Sequence, residues 1–230
     1  MSRIVALSGW AQPYDGLALL FPEAVHLDYR ACRNAEEVAE KMAAHTPDVL
    51  VGWSLGGQLA LLAAAMGIVV PKAIIAIATP YQFVRCDAFK HGMERWTFDK
   101  FHENYRRHPE RTAKRFAALI AKGDVHEEAI AENLLPHNAQ AIEHHVQWLP
   151  WLAHLEAATF REHDINHLPP ILLLHGARDA IVAPEQSHTL AAALPYAELV
   201  QYEHSGHAPH LHDRARVQQD IDSFLTCHVV

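Results

Sequence analysis

The sequence predicts an α/β fold, a mostly parallel sheet carrying a block of helices inserted late in the chain, and three observations predict it. Short apolar runs alternate with helical patterns over residues 4–78, the strand, helix, strand rhythm that a parallel sheet needs. That alternation stops over residues 85–167 and resumes with Ile171-Leu172-Leu173-Leu174. Between one apolar run and an alanine-rich stretch stands a glycine-flanked serine, Gly52-Trp53-Ser54-Leu55-Gly56-Gly57, at a point where a strand would turn sharply into a helix.

The elements follow in order. Ile4-Val5-Ala6-Leu7 reads as the first strand and Ala24-Val25-His26-Leu27-Asp28 as the second. Asn34 then opens a helix as its N-cap, with Glu36 and Glu37 in the first turn where the helix dipole favours acids. Val49-Leu50-Val51 leads into the serine turn and its helix, and Ala73-Ile74-Ile75-Ala76-Ile77-Ala78 closes the regular stretch. Over residues 85–167 strand signals vanish and helical faces run consecutively: Phe98, Phe101 and Tyr105 share one face, Phe116, Leu119 and Ile120 another, with breaks at Pro109 and Pro136. The sheet resumes at Ile171 and ends with Glu198-Leu199-Val200-Gln201-Tyr202. The expected organisation is one domain, a core of residues 1–84 and 168–230 with a helical lid at 85–167.

The serine turn points to nucleophilic catalysis. A sharp strand-to-helix turn strains the backbone and exposes the hydroxyl of Ser54, and Gly52 and Gly56 let the chains pass. A serine hydroxyl is a weak nucleophile, so a neutral imidazole must take its proton and a carboxylate must hold that ring. Asp179 stands in the loop past the strand at Ile171, and His207 in Ser205-Gly206-His207-Ala208-Pro209-His210 past the last strand. Taken alone, Asp179 could be a turn or capping residue and His207 a surface histidine. The order Ser54, Asp179, His207 is that of the α/β-hydrolases. Two backbone N–H groups must face the developing oxyanion; Leu55 supplies one, and Trp10, after the first strand, is the candidate for the other. Its indole could equally be packing over the strand ends.

Composition narrows the class. Half of the 230 residues are apolar, enough for one large core. No apolar stretch approaches membrane-spanning length, and the chain enters its first strand directly, so neither a membrane segment nor an export leader is expected. Three scattered cysteines, Cys32, Cys86 and Cys227, indicate free thiols in a reducing, cytoplasmic setting. The net charge is −8, which argues against a nucleic-acid partner. Residues 85–122 nevertheless hold ten Lys and Arg against five Asp and Glu, with Arg106, Arg107, Arg111, Lys114 and Arg115 clustered. Such a cluster either attracts an acidic partner or is an ordinary solvated face with ion pairs along the helix. Nineteen histidines invite a metal, and His204, His207, His210 and His212 lie close together, as do His163 and His167. Without H-E-x-x-H or a carboxylate-rich ligand set, no metal is expected. No dinucleotide or phosphate-binding glycine pattern occurs.

Ser8-Gly9-Trp10, the Ser54 turn, the lid segment Arg111-Thr112-Ala113-Lys114-Arg115-Phe116-Ala117-Ala118-Leu119, Gly176-Ala177-Arg178-Asp179 and Ser205-Gly206-His207-Ala208-Pro209 together resemble the BioH family. These are the pimeloyl-acyl-carrier-protein methyl ester esterases of biotin synthesis. The triad is shared across the superfamily, whereas the tryptophan after the first strand and R-T-x-x-R-F are more specific. The resemblance covers nearly the whole chain. It implies the α/β-hydrolase fold with a helical lid after the sixth strand of the usual numbering, a Ser54, Asp179 and His207 triad, and Trp10 and Leu55 on the oxyanion side. It also implies substrate contact from Phe116, Ala117, Ala118, Leu119 and Ile120, and an acyl carrier protein met by Arg111 and Arg115. No cofactor is implied, and a monomer is expected.

Three departures accompany it. Family members usually begin with two further strands and carry His-Gly where this chain has Ser8-Gly9. A second pair of lid arginines falls on Glu128 and Glu132, which would weaken or reorient carrier docking. Ile120 stands where a polar residue is common, which would alter chain-length preference. The expected reaction is demethylation of the carrier-bound pimeloyl ester. A broad short-chain carboxylesterase or thioesterase is the alternative within enzymes, and a non-catalytic binding protein of the same fold is the alternative outside them.

Overall fold

Runs of Val, Ile and Leu with no polar interruption are stable as strands only when both faces are covered, and that is how they are used. The computed structural model describes residues 2–12, 15–134 and 138–229. Its strands are β1 (Ile4–Leu7), β2 (Val25–His26), β3 (Val49–Trp53), β4 (Ala73–Ile77), β5 (Ile171–Gly176) and β6 (Ala197–Tyr202). They form one sheet in the order β2-β1-β3-β4-β5-β6, and each neighbouring pair is parallel. β3, β4 and β5 are buried along their whole length. The two edges are the weakly apolar β2, only two residues long, and β6.

The crossovers begin with the short α1 (Asp15–Ala18) and α2 (Ala35–Ala44). As expected, Asn34 caps α2, its Oδ1 accepting the Glu37 N–H at 2.9 Å. α3 (Leu55–Ala65) is buried over ten of its residues, because it lies against β1, β3 and β4 and is covered outside by α2. After β4 come α4 (Arg95–Arg107), α5 (Pro109–Ala121), α6 (Glu127–Leu134), α7 (Asn138–Glu143), α8 (His145–Ala157) and a 3₁₀ turn at Phe160–Glu162. Pro109 separates α4 from α5 and serves as the first residue of the latter, where its missing N–H costs nothing. Pro136 lies outside the described residues. A bridge between Gln82 and Thr159 joins the two ends of this insertion. The chain returns through β5, α9 (Glu185–Ala193), β6, the short α10 (Pro209–His212) and α11 (Arg214–His228), which packs against β4 and β5.

Sheet order reverses beside β1, whose neighbours are β2 and β3. In open α/β sheets the crevice at the carboxyl ends of strands flanking such a reversal is the usual binding place. The helical insertion sits over it through Trp10, whose ring meets Phe101 and Tyr105 of α4, Phe116 of α5 and Trp148 of α8 edge-on, at centroid distances of 4.7 to 6.5 Å. Among the described residues no helix is long and apolar enough to cross a membrane.

One buried residue carries an electrostatic consequence. His210 is 1% exposed, lies edge-on to Trp53 with centroids 4.7 Å apart, and neither ring nitrogen has a hydrogen-bond partner among the described residues. Burial, with a smaller contribution from His207, pushes its pKa down to about 3. The native state therefore refuses a proton that the unfolded chain accepts below about pH 6.5, so stability falls as pH drops from there towards about 3. Urea unfolding of the wild type should lose about 2–3 kcal/mol more between pH 6.5 and 4.5 than His210→Phe does. Parallel pH profiles for the two proteins would contradict this.

Candidate active site

Strand register brings the first two parts together. Leu7 pairs with Gly52 across β1 and β3, so the residues two beyond each strand position, Gly9 and Ser54, meet above the sheet; a Cβ on Gly9 would lie 3.3 Å from Ser54 Cβ. Ser54 has φ 55° and ψ −118°, a conformation that costs a non-glycine residue about 1–3 kcal/mol. It is held there by its backbone N–H, which donates to the Ile77 carbonyl at 2.8 Å, and by its carbonyl, which accepts the Gln58 N–H at 3.1 Å. The glycine requirement is steric. A Cβ on Gly52 would run into the Gly56 and Gly57 backbone, and one on Gly56 into the Leu7 carbonyl.

The acid and the base also come together. Asp179 Oδ2 lies 2.7 Å from His207 Nδ1, with both side chains fully enclosed. Asp179 Oδ1 accepts the N–H groups of Ile181 at 2.8 Å and Val182 at 2.9 Å. Burial alone pushes this carboxyl up; the His207 ring and the hydrogen bonds from His175 and His207 outweigh it and hold Asp179 well below the usual carboxylate range. The acid is thus ionised at neutral pH and fixed at both oxygens. The ring nitrogen it faces is Nδ1, leaving Nε2 as the one that can take a proton. Among the described residues the Ser54 hydroxyl makes no hydrogen bond.

The backbone N–H groups of Trp10 and Leu55 have no hydrogen-bond acceptor among the described residues. Leu55 opens α3, where unpaired donors and the helix dipole favour negative charge. The Trp10 indole Nε1 donates to the Trp148 carbonyl at 3.0 Å, so its ring anchors the helical insertion while its backbone stays beside Ser54. Packing and oxyanion roles are compatible in one residue.

Ser54 opens onto a cavity of about 60 Å³ walled by Trp10, Phe101, Phe116, Leu119, Leu152 and Ile181, among others. Of the five consecutive α5 residues expected to touch substrate, Phe116 and Leu119 line it; Ala117, Ala118 and Ile120 do not. A helix turns about 100° per residue, so a contiguous run cannot face one cavity. Ala117 and Ile120 point into the core and Ala118 to solvent. Ile120 meets the site through its backbone, its carbonyl accepting the His207 N–H at 3.1 Å.

Arg111 and Arg115 are exposed one turn apart on α5. The basic cluster divides in two. Arg106 and Arg107 pair with Glu103, and Lys114 with Glu110, as a solvated helical face would; Arg111 and Arg115 have no ion pair or hydrogen bond among the described residues. Glu128 and Glu132 are exposed on α6. The clustered histidines go to separate partners, His204 to Arg178, His207 to Asp179 and His212 to Asp124. Among the described residues no three His, Cys, Asp or Glu side chains form a set able to hold a metal.

Two contributors were not singled out in the sequence. Trp53 Nε1 donates to the His207 carbonyl at 3.0 Å, tying the serine strand to the histidine loop. His175 Nε2 lies 3.2 Å from Asp179 Oδ2 and 3.0 Å from the Val182 carbonyl, a proton shared between two acceptors that adds a donor to the acid. A polar residue ending an otherwise apolar strand was the available signal for His175.

Residues 4–219 match the Alpha/beta hydrolase family. The chain is 33% identical over 192 residues to the pimeloyl-[acyl-carrier protein] methyl ester esterase of Xanthomonas axonopodis pv. citri, covering 82% of this chain and 74% of that protein. It is 32% identical to the biotin biosynthesis bifunctional protein BioHC of Teredinibacter turnerae over 86% of its own length, a match spanning 36% of that longer protein. Among solved structures it is similar in fold to an esterase from Exiguobacterium antarcticum, with a TM-score of 0.85 over 98% of this chain and 92% of that one at 17% identity. The register-matched serine turn, the buried acid and imidazole, and these relatives place the chain in the α/β-hydrolase family and, within it, in the BioH family of pimeloyl-[acyl-carrier protein] methyl ester esterases.

Proposed function

We propose that the protein demethylates the methyl ester of a pimeloyl chain borne on an acyl carrier protein, by way of an acyl-enzyme on Ser54, in biotin synthesis. The observation that supports this best is the enclosed Asp179 and His207 pair, 2.7 Å apart, in a loop tied through Trp53 to the residue before a strained serine that opens onto an apolar slot. In this reading residues 85–167 act as a lid over the core.

On substrate binding the Ser54 hydroxyl hydrogen-bonds to His207 Nε2, as catalytic hydrogen bonds commonly tighten only in the loaded enzyme. His207 Nε2 takes the hydroxyl proton while Ser54 Oγ bonds to the ester carbonyl carbon. The oxygen left negative is met by the Trp10 and Leu55 N–H groups; a donor of this kind is worth about 2.7–4 kcal/mol. Collapse breaks the carbon to methoxy bond and His207 returns the proton, releasing methanol. Water, deprotonated by the same ring, then cleaves the acyl-enzyme and frees the ω-carboxylate. Asp179 stays ionised throughout and stabilises the imidazolium. The methylenes lie against Phe116 and Leu119, and the carrier meets Arg111 and Arg115, whose lack of ion-pair partners among the described residues leaves their charge available.

The small volume of the slot also suits short esters with no carrier, the alternative reading. Three outcomes separate the possibilities. Ser54→Ala should lower kcat by about five to six orders of magnitude and abolish labelling by a fluorophosphonate; a wild type that neither labels nor turns over would leave only a binding protein. Arg111→Glu with Arg115→Glu should reduce kcat/KM for the carrier-linked ester roughly tenfold to a hundredfold while methyl pimelate in free form changes less than about twofold. Equal turnover of the carrier-linked ester before and after charge reversal would favour the short-chain esterase.

A further inference from the structure

The segment after α5 and the loop carrying His207 are zipped together, with a buried carboxylate at the centre of the zip. The Ile120 carbonyl accepts the His207 N–H and the His204 carbonyl accepts the Val125 N–H, each at 3.1 Å. Between them, Asp124 Oδ2 accepts the Gly206 N–H at 3.0 Å, and Oδ1 lies 2.7 Å from His212 Nδ1. Oδ1 also accepts the His126 N–H at 2.8 Å, the local turn that an aspartate makes with the residue two ahead. Such a turn is complete at the surface and needs no further partners. The Asp124 side chain is instead 1% exposed, and its other two partners lie 82 and 88 residues away in sequence. A carboxylate leaves water only where donors meet its oxygens, and here those donors belong to the histidine loop.

The grip straddles His207. Gly206 precedes it directly and His212 follows on α10, so the loop is held on both sides of the imidazole from the foot of the helical insertion. His207 is consequently fixed by three different parts of the molecule: its N–H by Ile120, its carbonyl by Trp53, its ring by Asp179. We propose that Asp124 is a positioning residue for the catalytic step, locking the loop that bears the general base to the foot of the lid. The proposal rests on His207 acting as that base. Asp124 is not on the wall of the apolar slot, so it acts on the chemical step and leaves ester binding alone. Without it the buried Gly206 N–H has no acceptor and the loop relaxes; a shift of about 1 Å in a catalytic group is enough to cost on the order of a hundredfold.

The test compares Asp124→Ala, Asp124→Asn and wild type on a soluble ester, at a temperature where urea titration finds each folded. In Asp124→Ala kcat should fall roughly tenfold to a hundredfold with KM within about twofold. The rate of Ser54 modification by a fluorophosphonate should fall by the same factor. Asp124→Asn keeps an oxygen for Gly206 and should recover to within about fivefold of wild type. Should Asp124→Ala not fold, Asp124→Ser takes its place, its hydroxyl being too short to span to Gly206. Folded Ala or Ser variants with unchanged kcat and labelling rate overturn the proposal, as does a loss confined to KM or an Asn variant no better than Ala. A Ser54→Ala control that still hydrolyses the ester would instead refute the Ser54 acyl-enzyme reading, whatever Asp124 does.

Discussion

The rest of the site depends on a buried carboxylate that must stay charged. Enclosing Asp179 would neutralise it were its oxygens not met by the Ile181 and Val182 N–H groups, His175 and His207. Those donors fix the end of β5, the turn after it and the His207 loop relative to one another. The hydrogen bond that orients the imidazole is therefore also a packing constraint between β5 and β6. The requirement is electrostatic, and its structural result is a ring presented at one orientation and in one tautomer.

Core and helical insertion are joined through the same few residues. The Trp10 ring is embedded in α4, α5 and α8 while Gly9, directly before it, meets Ser54. Ile120 and Asp124, from the other end of α5, hold the histidine loop. An element that covers the apolar slot is thus tied to both sides of the proposed reacting centre. α5 divides its labour by face: Phe116 and Leu119 line the slot, and Arg111 and Arg115 face solvent.

The parts of this arrangement legible in the sequence are those set by local chemistry. Continuous apolar runs mark β3, β4 and β5, Asn34 marks the start of α2, Pro109 marks the junction of α4 and α5, and the glycines around Ser54 mark a turn that only small residues permit. The chain order of Ser54, Asp179 and His207 carries the topology with it. Less legible was anything decided by the direction of a side chain or by pairing between distant segments. Helical rotation splits Phe116, Ala117, Ala118, Leu119 and Ile120 between cavity, core and solvent. Ion pairing among the described residues divides one basic cluster into paired and unpaired members. Asp124 begins an acidic stretch in which nothing local distinguishes it, because its role is defined by partners in the last strand's loop. β2 is shorter than its apolar run suggested, since it pairs only along β1 at the sheet's edge.

Covalent chemistry at Ser54 is the central claim, and pre-steady-state hydrolysis of a short-chain p-nitrophenyl ester addresses it most directly. A fast leaving group makes breakdown of the acyl-enzyme limiting, so the account predicts a burst of close to one p-nitrophenol per enzyme, with the acyl group found by peptide mapping on Ser54. Steady release with no burst and an unmodified Ser54 peptide, or an acyl group carried on any other residue, would contradict it.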